Sequence, residues 1–282
     1  MGAILGGLGA AATWAVSTLS TSRSSKLIPP SSVLAFVMLL GAVLTAPLAL
    51  TGGIPDGLDG QALAWLVTSG LVNVVGLLFA YTALRVGKVG VVSPITSTQG
   101  AVAALLAVVA GEAIEPGAGV MLALIATGVA LASLSSATDR IDGTDDRRAS
   151  MLAMGSAALF GFGLYVVGHV SDGLPVVWVL FVPRLVGVIA LTVPLAVLGR
   201  LRMTRRALPF VLLSGVCEIA GLACFSIGSR DSIAVTAILS SQFAALAAVG
   251  AYVLFEERLR RIQVAGVVAI LVGVAVLTGL QA

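Results

Sequence analysis

The chain has 282 residues, of which 59% are hydrophobic and only 10% charged, and its mean hydropathy is +1.10. Soluble domains carry about 25% charge, so this chain cannot cover a water-facing surface, which excludes a soluble enzyme, a nucleic-acid binder and a disordered scaffold. Net charge is only +3; in a membrane chain the placement of Lys and Arg carries more information than their sum.

A helix needs about 20 apolar residues to cross the hydrocarbon core. Runs of this kind fall at 2–20, 32–51, 62–84, 89–111, 117–136, 150–170, 175–198, 208–228, 232–255 and 262–280, ten in all. The first lacks a basic flank and a cleavage site, so it reads as a span rather than a signal peptide. No ten-residue segment alternates with period two, as a membrane barrel requires. The expected fold class is therefore an all-α membrane protein of ten transmembrane helices. Cys217 and Cys224 share one run, about 10 Å apart on a helix, too far for a disulfide.

The most polar stretch, Asp139 to Arg148, splits the spans five and five. Shifting the chain by 145 residues superposes Ser69-Gly70 on Ser214-Gly215, Gly76 on Gly221, Glu112 on Glu257 and Gly128-Val129 on Gly273-Val274. Small register slips add Trp14-Ala15 on Phe160-Gly161 and Pro47 on Pro194. An odd number of spans per half turns the second half upside down relative to the first. The loops agree: TGGIPDGLDG carries no basic residue, whereas its counterpart GRLRMTRR carries four arginines, and GEAIEPGAG is matched by FEERLRR. The expected organisation is a first repeat over 1–137, a polar linker over 138–149 and a second, inverted repeat over 150–282.

Polar residues at mid-membrane depth are costly and therefore point to function. Asn73, Gln99, Arg184, Glu218 and Gln242 lie near span centres, with Asn73 and Glu218 at the same place in the two repeats. The fourth span carries Thr96-Ser97-Thr98-Gln99 and the ninth Ser240-Ser241-Gln242. Inverted repeats bring such segments together around a pseudo-two-fold axis, so Ser97, Gln99, Ser241 and Gln242 are candidates to line a cavity; gluing helices together is the alternative. Arg184 and Glu218 lie on consecutive antiparallel spans at depths about 5 Å apart. They are expected to form an ion pair or to face one aqueous cavity. A structural pair, an anion site at Arg184 and proton coupling through Glu218 all stay open. Trp14 could stack on a substrate; Tyr81 and Tyr165 could do so too, or anchor at the interface. Pro94 and Pro183 are expected to kink their spans. Glu112, Glu256 and Glu257 stand at span ends, where each caps or positions the next helix.

The stretch from Tyr81-Thr-Ala-Leu84 through Pro94 to Gly111-Glu112 resembles the fourth-span signature of EamA-type members of the drug/metabolite transporter superfamily. Glu257-x-Leu259, Gln263, Gly266 and Gly273 resemble its second copy, and Trp14-Ala15 the Trp-Gly of the first span. The resemblance covers nearly the whole chain. It implies a secondary transporter with a cavity between inverted halves, working on amino acids, sugars or other small metabolites. Leu39 aligns with Arg184, so the first half lacks this arginine.

The expected function is a secondary transporter, taken as an exporter, of a small polar metabolite such as an amino acid or sugar-like compound; the alternative is an intramembrane lipid-modifying enzyme. No cofactor or metal is expected, since there is no G-x-x-x-x-G-K-[ST] and His169 has no metal-ligand spacing to the carboxylates. The expected partners are the small-molecule substrate and the bilayer, without nucleic acid. A coupling ion, H+ or Na+, stays open, as does the choice of monomer or homodimer. The expected location is integral to a membrane, crossed several times, and the plasma (inner) membrane if the chain is bacterial.

Of the 16 Lys and Arg, 14 lie in odd-numbered loops, which puts those loops in the cytoplasm and both termini outside; the resemblance implies termini inside. The charges predict that a tag after Ala282 is accessible on intact cells and that a cysteine near Arg205 is not. Impermeant-reagent labelling in the opposite pattern restores the orientation implied by the family.

Overall fold

The computed structural model describes residues 1–112 and 146–255; the expected spans 117–136 and 262–280, and Glu256 and Glu257, lie outside them. Within these limits the regular structure is helical: α1 (Gly2–Leu27), α2 (Pro30–Thr51), α3 (Gly60–Val86), α4 (Val89–Ser97), α5 (Gln99–Val109), α6 (Asp146–Ser171), α7 (Val176–Gly187), α8 (Val193–Val197), α9 (Leu208–Gly228), α10 (Ile233–Ser240) and α11 (Phe243–Phe255). A π turn, Val188–Thr192, joins α7 to α8. Eight segments are long and apolar enough to cross a membrane among the described residues, with α4–α5, α7–α8 and α10–α11 each counted as one. Residues 146–149 of the expected linker are already helical.

Local chemistry sets the helix ends. Proline opens α2 and α9, where its missing N–H has no partner to lose. Asp59 caps α3 by accepting from Ala62 N at 2.7 Å, satisfying a donor that the first turn leaves open. Gly53 and Gly199, at φ +73° and +64°, follow α2 and α8 at equivalent points of the two halves, a left-handed backbone that suits glycine.

The two broken spans break for related reasons. Near Pro94 the hydroxyls of Ser97 and Thr98 donate back to the Pro94 and Ile95 carbonyls, both at 2.8 Å, and α4 stops at Ser97. In the other half Ser240 and Ser241 both donate to the Ala237 carbonyl, at 2.8 and 3.0 Å, and α10 stops at Ser240. Hydroxyls that bond their own backbone compete with the helix ladder in this way.

Small residues let the helices cross closely. A Cβ on Gly6 would come 2.6 Å from Cys224 O, and Gly221 lies against Trp14, so α1 and α9 run antiparallel. On α3 and α6, Gly87 meets Ala149 and Gly76 meets Phe160, again antiparallel. Second and seventh spans pair as Gly41 with Arg184 and Gly187 with Met38, and Thr192 donates to Ala35 O at 3.0 Å. Fourth and ninth spans pair through Gly100, which lies against Ala237 and Ser241. The first span of each half thus crosses the third of the other, and the second and fourth spans cross their own counterparts, antiparallel throughout. Leu44, Leu48, Leu105, Met151, Val197 and Val253 remain exposed on the outside, an apolar surface that lipid tails can cover.

The crossing at Gly100 leaves no room for a side chain, so Gly100→Val should lower stability by at least about 1–3 kcal/mol through overpacking. Gly60→Ala, where a Cβ meets nothing within 4 Å, should leave the melting transition almost unmoved. Thermal unfolding in detergent checks both.

Candidate functional site

Between the halves lies a cavity of about 90 Å³. Its polar wall comes from Ser17, Thr18 and Thr21 of α1, Ser69, Asn73 and Tyr81 of α3, Ser93, Thr96 and Gln99 of the fourth span, and Glu218 of α9. Its apolar lining includes Leu77, Leu159, Phe160, Leu164, Leu222 and Phe243, together with Trp14. Among the described residues the indole N–H of Trp14 and the hydroxyls of Ser93 and Thr96 have no hydrogen-bond partner, although polar groups this deeply buried are normally partnered.

The charged centre joins α7 to α9. Arg184 is 1% exposed and its Nη2 stands 3.6 Å from Glu218 Oε1, whose side chain is 13% exposed. Arg184 Nη1 also reaches Asn73 Oδ1 at 3.5 Å and Met38 Sδ at 3.6 Å. These contacts are long, and among the described residues Nε and Nη2 have no hydrogen-bond acceptor. A Cβ on Gly41 would sit 2.8 Å from Arg184 Cδ, so this glycine makes the space that the arginine stem fills. On the other flank Ser17 donates to Glu218 Oε2 at 3.4 Å and bonds Ser214 Oγ at 3.1 Å, and Thr21 bonds Ser214 at 2.7 Å. A polar ladder therefore runs from α1 through α9 to α7.

Trp14, Asn73, Gln99 and Glu218 lie together on the cavity wall. Arg184 does not line it; it sits behind Asn73 and Glu218 and sets their charge environment. Ser97, Ser241 and Gln242 also lie off this wall. Ser97 and Ser241 spend their hydroxyls on their own helices, and Gln242 Nε2 donates to Ile238 O at 3.3 Å. Tyr81 is buried on the wall rather than anchored at an interface. The counterpart of Arg184 in space is Met38, fully buried, not Leu39, which is 39% exposed; a slip of one residue in the repeat register explains the difference. Glu112 caps α10 of the other half, by accepting from Ser232 Oγ and Ala234 N; the helix that follows it in the chain lies outside the described residues. His169 packs against Tyr165 and Trp65, each at a ring-centroid distance of 6.0 Å. Cys217 and Cys224 are free thiols. Ser17, Thr21 and Ser214 escaped the sequence reading; the one available signal was the Ser69-Gly70 and Ser214-Gly215 match.

The model of the EamA-like transporter family matches residues 1–134 and 147–279. The chain belongs to that family. It is an integral membrane protein with several spans, built on a two-repeat transporter fold. A solved crystal structure superposes with a TM-score of 0.75 over 99% of this chain and 96% of its own, at 17% identity, a likeness of fold. No curated protein matches the chain in sequence.

Removing one member of a buried pair strands the other, at a cost of about 3–5 kcal/mol. Arg184→Leu should therefore destabilise this EamA-family protein by that order, and Arg184→Leu with Glu218→Leu should regain most of the loss. Thermal unfolding of the single and double variants checks it; equal melting in all of them removes the pair from the stability of the fold.

Proposed function

We propose that this chain is a secondary carrier that exports a small polar metabolite, of an amino-acid-like or sugar-like kind, by alternating access. The proposed architecture is ten helices in two inverted five-helix repeats, 1–137 and 150–282, joined by the polar linker 138–149, in a plasma membrane. One observation carries the reading: a cavity walled by both halves presents one carboxylate, several hydroxyls and two amides among apolar side chains. Glu218 suits an ammonium or another donor on the substrate. Asn73, Gln99, Ser93 and Thr96 suit its neutral polar groups, and Trp14 offers both a donor and a ring face. Arg184 acts through Glu218 and Asn73 rather than by contact. H+ or Na+ serves as the coupling ion where one is used. Membership of a transporter family favours the carrier over the lipid-modifying enzyme.

Flux into proteoliposomes tests this. Gln99→Leu and Glu218→Gln should each lower the rate at least about tenfold, a loss of ~1.4 kcal/mol in transition-state stabilisation, with folding retained. Gln242→Leu, off the wall, should keep most of the flux. Full activity in both wall variants would contradict the assignment of the cavity as the substrate path.

A further inference from the structure

The cavity is less symmetric than the fold around it. From α3 and the fourth span it takes Ser69, Tyr81, Leu84, Val92, Ser93 and Thr96. Their counterparts 145 positions on are Ser214, Ser226, Ser229, Ala237, Ile238 and Ser241, which are buried in helix contacts and line no part of it. On α1 and α6 the lining is equivalent, from Trp14 to Thr21 and from Phe160 to Val167, but along α3 and the fourth span the cavity extends toward the Gly87–Lys88 loop, and their counterparts do not carry it to the equivalent loop, 229–232, on the opposite face. Tight crossings fill the interior there: Gly6 against Gly228, and Gly7 against Leu239 and Thr236.

Outside this plug, loop 229–232 ties three separate elements together. Asp231 Oδ2 accepts from Ala3 N at 3.1 Å, holding the start of α1. Arg230 Nε and Nη2 donate to the Ser171 and Leu174 carbonyls, both at 3.0 Å, holding the turn between α6 and α7. Ser232 Oγ donates to Glu112, which also accepts from Ala234 N at 3.3 Å, holding the end of the fourth span. Just beneath, Ser171 and Ser226 share a hydroxyl contact at 2.8 Å. Hydrogen bonds at a half-exposed rim are individually weak, so a rim of several can hold one state and still release.

We propose that loop 229–232 and Glu112 form the latch that keeps the cavity shut on this face, and that its release is the step that opens the carrier there. The inference rests on the alternating-access reading above. In that state α1 parts from α9 at the Gly6–Gly228 crossing, while α1, Glu112 and the α6–α7 turn let go of the loop. Glu112 and Arg230 thus act as positioning residues for transport without touching substrate.

Cys224 reports this movement, because its Sγ packs into the same crossing, 3.1 Å from where a Cβ on Gly9 would stand. The parent is Cys217→Ser in lipid nanodiscs, where a water-soluble maleimide reaches both faces. Glu112→Ala and Arg230→Ala, which release different ties, should each raise the labelling rate of Cys224 at least about fivefold, with the melting transition retained. Glu112→Gln keeps an acceptor and should fall between them and the parent. Labelling that stays at the parent rate in both alanine variants, or rises only as folded protein is lost, overturns the latch. The assay needs no substrate, so a failed flux experiment leaves it standing, and unchanged labelling in a protein with active flux overturns the latch alone.

Discussion

A guanidinium held at 1% exposure among apolar helices constrains much of this molecule. On insertion scales an arginine at the helix centre costs about 2.5–3.5 kcal/mol, and the neighbouring helices are arranged to offset that cost. Gly41 of α2 gives up its side chain to admit the arginine stem, α3 supplies Asn73, and α9 supplies Glu218. Glu218 is in turn held by Ser17 of α1, and Ser17 by Ser214. Two helices of the first half other than α1, and two of the second, thus meet around one charge. The long distances from Arg184 to its partners mark a centre that is enclosed without being saturated.

The backbone around that centre is nearly two-fold symmetric, and the pairing of large with absent side chains shows it. Trp14 of α1 fills the space at Gly221 of α9, and Phe160 of α6 fills the space at Gly76 of α3. Gly9 receives Cys224 as Gly155 receives Phe79. In each case a residue on the first helix of one half meets the third helix of the other, with a shift near 145 relating the pairs. The chemistry breaks this symmetry: Met38 stands where symmetry would put a second arginine, and Asn73 where it would put a second carboxylate. A symmetric frame therefore carries the Arg184–Glu218 pair on one side of its axis, and a substrate would meet two unlike halves.

This division explains what the sequence could disclose. Span positions were legible because hydrocarbon imposes length and apolarity on every crossing segment, and the glycine matches were legible because close approach leaves few alternatives. Gln99 and Gln242 looked alike in sequence, both midway along a span beside hydroxyl residues. Only Gln99 reaches the wall, because the breaks in the two spans fall slightly out of register and turn Gln242 back on its own helix. The Ser97 and Ser241 hydroxyls looked like cavity chemistry, yet they serve the breaks themselves. Side-chain direction depends on local backbone turns of a residue or less, and a period read over twenty residues does not resolve it. Tyr81 lies near a helix end by count, yet it follows Asn73 and Leu77 at four-residue spacing, on the face of α3 that lines the cavity, and it is buried there.

The same near-symmetry bears on how a carrier of this build would change state. If two halves share a fold but differ in conformation, exchanging their conformations moves the cavity from one face to the other without a new fold. Here α3 and the fourth span open a wall from Ser69 to Gln99, while α9 contributes only Glu218 and Leu222 and the ninth span only Phe243. Glu218 and Asn73, equivalent positions of the two halves, both line the cavity, so an exchange of conformations would leave the wall with a polar group at this depth. The counterparts of the wall residues are small or hydroxylic: Ser214 bonds hydroxyls of α1 and Ser226 one of α6, whereas Ser229 and Ser241 donate to carbonyls of their own segments. Larger apolar residues there would fix this face by packing, whereas a hydroxyl can exchange a helix partner for water. A carrier that changed state would therefore find its movable contacts at hydroxyls such as those of Ser17, Thr21 and Ser214, between α1 and α9.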